Sequence, residues 1–480
     1  LSEILEWQKI NGKNASFALR YLRQPQLEAL ETYWYLRVVM QTPHIFDLYK
    51  KWFEADELLK ALGVPNHSEV TKLLARGGTD AVLNAIKTKD DFVRQFGLNT
   101  AREMMALSYP SYILALAMGA GKTVLIGTII ATEFALALEY PEDNLIKNAL
   151  VFAPGKTILG ALKELSAVPY EKILPPRLYN QFISTVKFTY TRDGEKNIPI
   201  IPQSSFNIVV TNTEKIRITK QSITKGQMGG LFGTKTQEED AKADVANQRL
   251  KTLASLPHLG IFSDEAHHTY GQALDSELKQ VRKTVDYLAN NTEVIAVVNT
   301  TGTPYYKRQV LKDVVYWYSL SQGIKDGVLK EIRNNIETYE KVTGSEFAAE
   351  VIKDFFKQYR HTKIYDTTSA KLALYFPKTD DIKEVLPIVQ KTLAGLGLDP
   401  ALAIAITNES DEKTKDMFAN RINDPSIAYR VFLLVNMGTE GWNVPSLFAT
   451  ALAREIKSSN NFVLQAASRC LRQVPGNNQK

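Results

Sequence analysis

Leu116-Ala117-Met118-Gly119-Ala120-Gly121-Lys122-Thr123 decides how the rest of the chain is read. It follows the apolar run Tyr112-Ile113-Leu114-Ala115-Leu116 and opens onto Val124-Leu125-Ile126-Gly127-Thr128-Ile129-Ile130. The order is a buried strand, a glycine-rich turn and a helix. Gly119 and Gly121, on either side of Ala120, let the backbone turn tightly, so that successive N–H groups and the helix N-terminus point at an anion. Lys122 can then reach the β/γ-phosphates of a nucleoside triphosphate, and the Thr123 hydroxyl can ligate a divalent cation. The strict pattern has Gly where this chain has Leu116, so a structural Gly-rich turn stands as the alternative until its context is read.

The surrounding composition bounds the answer. At 480 residues the chain can build two to four domains with proper cores. Hydrophobic residues at 44% and charged residues at 23% are ordinary globular values. A net charge of +6 permits a polyanionic partner without requiring one. The single cysteine, Cys470, excludes an internal disulfide framework and any cysteine-rich zinc site. No apolar run approaches the ~20 residues of a membrane helix. The first residues, Leu1-Ser2-Glu3-Ile4-Leu5-Glu6, show neither an initiator Met nor a signal-peptide pattern. The expectation is a cytoplasmic protein with no membrane partner, whose 480 residues are a piece of a longer chain.

Outward from the loop, residues 1–40 read as helical, with Pro25 in a first helical turn. Gln26 carries an amide that can read an adenine edge, one donor and one acceptor together; a surface glutamine on an amphipathic helix is the plainer reading. Residues 41–100 read as a small helical insertion broken at Gly63-Val64-Pro65-Asn66 and Gly77-Gly78. Its aromatic stripe, Phe46, Tyr49, Trp52 and Phe53, is read as core rather than as a base-stacking platform. Residues 101–330 form a first α/β domain and 331–480 a second. Apolar runs 149–154, 206–211, 259–263 and 294–298 read as buried strands of the first. Runs 372–377, 402–407 and 431–435 read as those of the second, and continuous runs separated by helices argue for parallel sheets covered on both faces. The polar stretch 215–254 reads as a loop, and 305–345 as a charged helical crossing.

Two dense patches complete the pattern. Leu259-Gly260-Ile261-Phe262-Ser263-Asp264-Glu265-Ala266-His267-His268 delivers two carboxylates at the end of a strand, where open α/β sheets place their chemistry. Asp264 can hold a metal through water, and Glu265 can orient and deprotonate an attacking water. Thr300-Thr301-Gly302-Thr303-Pro304 gathers hydroxyls at another strand tip, either to couple the site to a neighbour or simply to cap a turn. In the second domain, Gln465-Ala466-Ala467-Ser468-Arg469-Cys470-Leu471-Arg472 puts Arg469 and Arg472 three apart, on one face if helical. Two guanidiniums there can stabilise charge on a transferring phosphoryl group.

In order as well as in type, these motifs resemble superfamily 2 helicases and translocases of the DEAH-box kind. The loop together with Glu440-Gly441-Trp442-Asn443-Val444-Pro445 resembles most the Res subunits of type III restriction enzymes and related phage-defence helicases. The resemblance implies two tandem RecA-like lobes with ATP and Mg²⁺ between them and nucleic acid, duplex DNA first, bound across both. It implies that Gln26 reads adenine, and that Gly119, Ala120, Gly121, Lys122, Thr123 and Gly441 hold the nucleotide. Thr123 and Asp264 would hold metal; Glu265 and Gln465 would place water; Arg469 and Arg472 would act as fingers; His267, Thr301, Thr303 and Thr439 would couple the lobes. Asn443 stands where relatives often carry Asp, and Ser468 where they carry Gly. A modification or specificity subunit, or a nuclease beyond residue 480, are the further partners implied. An ATP-driven switch without processive movement, and an RNA helicase, share every one of these motifs. A one-domain phosphate-loop kinase or GTPase leaves the arginine-bearing second domain unexplained.

Overall fold

The computed structural model describes residues 1–11, 17–152, 158–192, 195, 197–212, 215–216, 248–264, 277–306, 309–332, 337–339, 344–435, 437–438, 442–453 and 466–474. Among the described residues no helix is long and apolar enough to cross a membrane. The chain divides into two compact units, residues 1–116 with 121–317 and residues 117–120 with 318–480.

The first unit opens with α1 (Ser2–Trp7) and a hairpin of β1 (Lys9–Asn11) and β2 (Phe17–Leu19), where an all-helical segment was expected. Then comes α2 (Gln24–Trp34), continued as one π-helical turn through Val39. Its Pro25 lies in the first turn, where a missing N–H costs nothing. The insertion is helical throughout: α3 (Ile45–Trp52), α4 (Ala55–Leu62), α5 (Ser68–Thr88), α6 (Asp90–Phe96) and α7 (Asn99–Met105). Gly63 ends α4 in the left-handed conformation, and Gly77 and Gly78 kink α5. Leu48, Leu58, Leu62, Val82 and Phe92 form its core, with Phe46, Tyr49 and Phe53 packed against them; Trp52 is 56% exposed and stands outside it.

Next come β3 (Ser111–Leu116), α8 (Lys122–Glu139), β4 (Asn148–Phe152), α9 (Ile158–Ser166), α10 (Tyr170–Ile173), α11 (Pro176–Thr185), β5 (Lys187–Tyr190) and β6 (Asn207–Thr211). A helix over 248–253, α12, lies inside the stretch read as a loop, with Leu250 and Leu253 buried; residues 217–247 of that stretch lie outside the described residues. The unit closes with β7 (Leu259–Asp264), α13 (Glu277–Asn291), β8 (Val294–Thr301), the short pair β9 (Tyr305–Tyr306) and β10 (Gln309–Val310), and β11 (Val314–Tyr318). The sheet runs β11-β3-β8-β7-β4-β6-β5. Every pairing from β3 to β5 is parallel, as continuous apolar strands joined by helices demand. Part of the segment read as a helical crossing is thus an edge strand, followed by the helix at 320–325: Val314-Val315-Tyr316-Trp317-Tyr318 is a β-branched and aromatic run, which the pleated edge suits better than a helix.

The second unit holds α14 (Leu320–Lys325), α15 (Gly344–Tyr359), the hairpin β12 (Lys363–Ile364) and β13 (Thr368–Ser369), β14 (Lys371–Tyr375), α16 (Thr379–Gly395), β15 (Ala403–Ile406), β16 (Val431–Leu434) and β17 (Leu447–Leu452). α17 (Glu412–Asp416) links β15 to β16. Its parallel sheet runs β15-β16-β14-β17. One face packs on α15 and α16, the other on Phe418 and Trp442, which stack 4.6 Å apart. The buried Arg430 guanidinium donates to the carbonyls of Tyr359, Arg360 and Ala370, satisfying the end of α15. The expected class holds: two tandem parallel-sheet α/β lobes, of seven and four strands, with a helical insertion near the N-terminus.

One buried acid makes the first unit sensitive to pH. Asp313, fully buried beside β3, accepts from the Ile113 N–H through its carbonyl. Burial pushes its carboxyl from 3.8 up to about 8, against the help of its own amide and the Ser111 hydroxyl. Between those values the folded chain holds a proton that the unfolded chain has released, so stability is full below about pH 4 and is lost as pH rises through about 8. The urea midpoint should therefore fall between about pH 5 and pH 8.5, and Asp313→Asn should flatten that fall. Equal slopes in the two proteins would remove Asp313 as its cause.

Candidate nucleotide site

The register of three strands builds the floor of the site. Leu114 of β3 pairs with Thr300 of β8, and Asp264 of β7 pairs with the same Thr300. The carboxyl ends of β3, β8 and β7 therefore lie level. Gly119 and Gly121 have φ of +89° and +90°, the left-handed region that a glycine adopts without strain. Gly121 caps α8, whose first N–H groups need an acceptor from outside the helix. Lys122 follows, 9% exposed, with its ammonium 3.4 Å from Asp264 Oδ1. The Thr300 hydroxyl donates to the same oxygen at 3.0 Å. The Lys122 ammonium thus rests on a carboxylate. The Thr123 hydroxyl donates to Glu164 Oε2 of α9 at 3.2 Å. Thr123 and Asp264 are hard oxygen donors, the chemistry that suits Mg²⁺.

Gln26 departs from its surface reading. It is 3% exposed: its Oε1 accepts from the Arg23 N–H at 2.8 Å, and its Nε2 donates to the Gly121 carbonyl at 2.9 Å. One amide therefore closes the first turn of α2 and ties it to the loop. A Cβ at Gly121 would collide with that amide, a second reason for glycine here. The amide keeps one N–H and one lone pair beyond these bonds.

Sequence reading missed what holds α2 in place. Glu133, in the middle of the apolar α8, is fully buried, and Arg37 donates to it from Nε at 2.7 Å and from Nη2 at 3.3 Å. The Tyr33 hydroxyl and the Ile146 N–H donate to the same carboxylate at 2.5 and 2.8 Å. Burial alone would lower the Arg37 pKa, but the charge of Glu133 holds it above its ordinary value. A lone acid in the run Ile129-Ile130-Ala131-Thr132-Glu133-Phe134-Ala135 is the signal that could have revealed it, since a buried carboxylate requires a partner.

Of the other predicted residues, Thr301 accepts through its hydroxyl from the Thr303 N–H at 3.1 Å, so these two form a local turn at the end of β8. In the second unit, Ala117 N–H donates to Tyr318 O, Ala120 is buried, and the Ser468 hydroxyl lies 3.1 Å from Met118 Sδ. Arg469 is buried there and donates to the Trp442 carbonyl at 3.2 Å. Arg472 does not share a helix face with it. The helical turn ends at Leu471, and Arg472 runs extended and bridges to Leu329, because the Lys330 N–H draws in the Leu471 carbonyl at 2.7 Å. The Asn443 carbonyl accepts from Asn423. Glu265, His267, Thr439, Gly441 and Gln465 lie outside the described residues.

A glycine-rich turn leading into a helix N-terminus, with a lysine facing an acid at the end of a parallel strand, is an arrangement that can take a phosphate. Residues 83–305 match the model of the family described as type III restriction enzyme, res subunit. No curated protein matches it in sequence. Among solved structures it is similar to a fragment described as an HsdR subunit of a type I restriction enzyme from Vibrio vulnificus YJ016, at 16% identity and a TM-score of 0.46, over 82% of this chain and 66% of that one. It is similar also to Mycobacterium smegmatis helicase Lhr bound to ssDNA and AMP-PNP, at 12% identity and a TM-score of 0.42, over 75% of this chain and 42% of that one. DEAD-box helicase Mss116 bound to ssRNA and UDP-BeF matches at 13% identity and a TM-score of 0.43, over 81% of this chain and 72% of that one. The chain spans less than two thirds of the first two.

The buried pair gives a direct expectation. Arg37→Ala leaves the Glu133 carboxylate in the interior without its cation and should cost about 3–5 kcal/mol in urea unfolding. Replacing both, Arg37→Met with Glu133→Leu, should cost clearly less than Arg37→Ala alone. If Arg37→Ala unfolds at the wild-type midpoint, the pair does not hold α2 on α8.

Proposed function

We propose that the chain is the motor core of a restriction-type or phage-defence protein, which couples ATP hydrolysis to movement along double-stranded DNA. The observation that carries the reading is the Lys122 ammonium at 3.4 Å from Asp264, behind a loop with two left-handed glycines, in a segment that matches the res-subunit family model. In this reading the loop amides and Lys122 bind the triphosphate, and Thr123 and Asp264 hold Mg²⁺, which when bound neutralises phosphate charge. Gln26 offers its remaining N–H and lone pair to adenine. Glu265 takes a proton from the attacking water, which Gln465 helps to place. Arg469 and Arg472 stabilise charge on the γ-phosphoryl group, with Gly441 closing on the nucleotide. His267, Thr301, Thr303 and Thr439 pass the state of the nucleotide to the DNA-bound lobes.

Removing Lys122 takes away the main point charge on the phosphates, so Lys122→Ala should abolish hydrolysis. Glu265→Gln should still bind ATP and stop turnover. Arg469→Ala or Arg472→Ala should lower kcat by on the order of 10³, the scale of an arginine finger, with a much smaller loss of affinity. A loss confined to affinity would assign the arginines to ground-state binding or to holding their segment in place.

The track is tested by ATP turnover with duplex DNA, single-stranded DNA and RNA side by side, followed by triplex displacement. Contacts to phosphates carry no sequence information, so stimulation should be indifferent to sequence. It should weaken with salt at a log–log slope of about −0.9 per phosphate neutralised. Stimulation without displacement would make the protein a switch, and stimulation by RNA alone would make it an RNA helicase. Stimulation by none of the three, in the full-length protein as well, would overturn the reading.

A further inference from the structure

The Thr123 hydroxyl has one proton and two lone pairs, and only the lone pairs can face a cation. Its proton is already committed: it points to Glu164 Oε2 at 3.2 Å. Glu164 reaches the first turn of α8 from α9, 41 residues further along the chain. Gly127 of α8 lets the segment that follows α9 pack closely against it. A Cβ there would lie 3.1 Å from the Tyr170 hydroxyl and 3.3 Å from Val168 Cγ2. The Tyr170 hydroxyl in turn donates to the carbonyl of Leu165, the residue after Glu164, at 2.8 Å, and Leu165 is buried. The α9 backbone beside Glu164 is therefore held by packing, while the Glu164 side chain itself is exposed. Asp264 is held separately, by Thr300 and Lys122, so the two carboxylates attend to different oxygens.

We propose that Glu164 is a positioning residue of the metal half of the nucleotide site: by accepting the Thr123 proton it turns the Thr123 oxygen lone pairs toward the divalent cation that accompanies the triphosphate. This rests on the nucleotide reading of the loop. Glu164 touches neither nucleotide nor metal; it acts through Thr123. Partners that orient a metal ligand in this way are worth about 10- to 100-fold in metal affinity.

The test uses the full chain and binding of a fluorescent ATP analogue, with EDTA or with increasing MgCl₂, so hydrolysis is not the readout. Wild-type affinity should rise with Mg²⁺ to a defined midpoint. Glu164→Gln, which keeps the size but accepts a proton more weakly, should move that midpoint up by about tenfold and leave affinity in EDTA within about twofold. Glu164→Asp should fall between the two. In a Thr123→Ala background, Glu164→Gln should add nothing, because the residue it acts through is gone. A midpoint unmoved by Glu164→Gln, or one that still moves without the Thr123 hydroxyl, would overturn the assignment while wild-type binding kept the nucleotide reading intact. Wild-type binding that ignores Mg²⁺, or no binding at all, would overturn both.

Discussion

The first unit depends on one buried ion pair. A carboxylate in the middle of an apolar helix is tolerable only when a cation and hydrogen bonds meet it there. Arg37, Tyr33 and the Ile146 amide do this for Glu133, and in doing so they fix α2 along the phosphate-loop helix. The Trp34 indole adds a bond to Thr132 at 3.2 Å. With one end of α2 fixed, its other end has a single place to go, and Gln26 arrives on the Gly121 carbonyl. Charge neutralisation in the core is thus connected to the shape of the loop at the surface.

The loop combines two opposed requirements. Its helix must be buried for the lobe to be stable, and α8 is buried along most of its length. Its N-terminal N–H groups must nevertheless stay open to an anion. Positive φ at Gly119 and Gly121 turns the chain sharply enough to keep both. The charges around the opening are held by one another: Lys122 on Asp264, Asp264 on Thr300, Thr123 on Glu164. In the proposed function a triphosphate with its metal gives Lys122 and Asp264 stronger partners than each other.

Much of this was legible in the sequence, and the misses share a cause. The strands of both sheets show as apolar runs because their two faces are both covered, as in β3, β4, β14 and β16. β11 and β5, the two edges of the first sheet, lack that signature. β11 is half-buried at its first three positions, exposed at Trp317 and buried only at Tyr318, beside charged neighbours, and reads as something else; β5 is half-exposed and was not read at all. The arms of the β1–β2 hairpin are too short for any period to register. The loop, Lys122, Thr123 and Asp264 were found because their chemistry is local to a motif. The burial of Gln26, the partners of Glu133 and the contact from Glu164 were not, because each depends on a residue far along the chain. Arg472 left its expected helix face for a similar reason: Leu329 and Lys330, far upstream, determine where that turn ends.

In the proposed function a nucleotide bound at the loop is felt by α2 through Gln26. Amide hydrogen exchange of the full chain, with and without a non-hydrolysable ATP analogue and Mg²⁺, tests this most directly. Protection should appear in residues 116–126 and also in the first turn of α2, 24–28, with the helical insertion unchanged. In Gln26→Ala the protection of 24–28 should disappear while that of 116–126 remains. Protection that bypasses 116–126, or none at saturating nucleotide, would contradict the account.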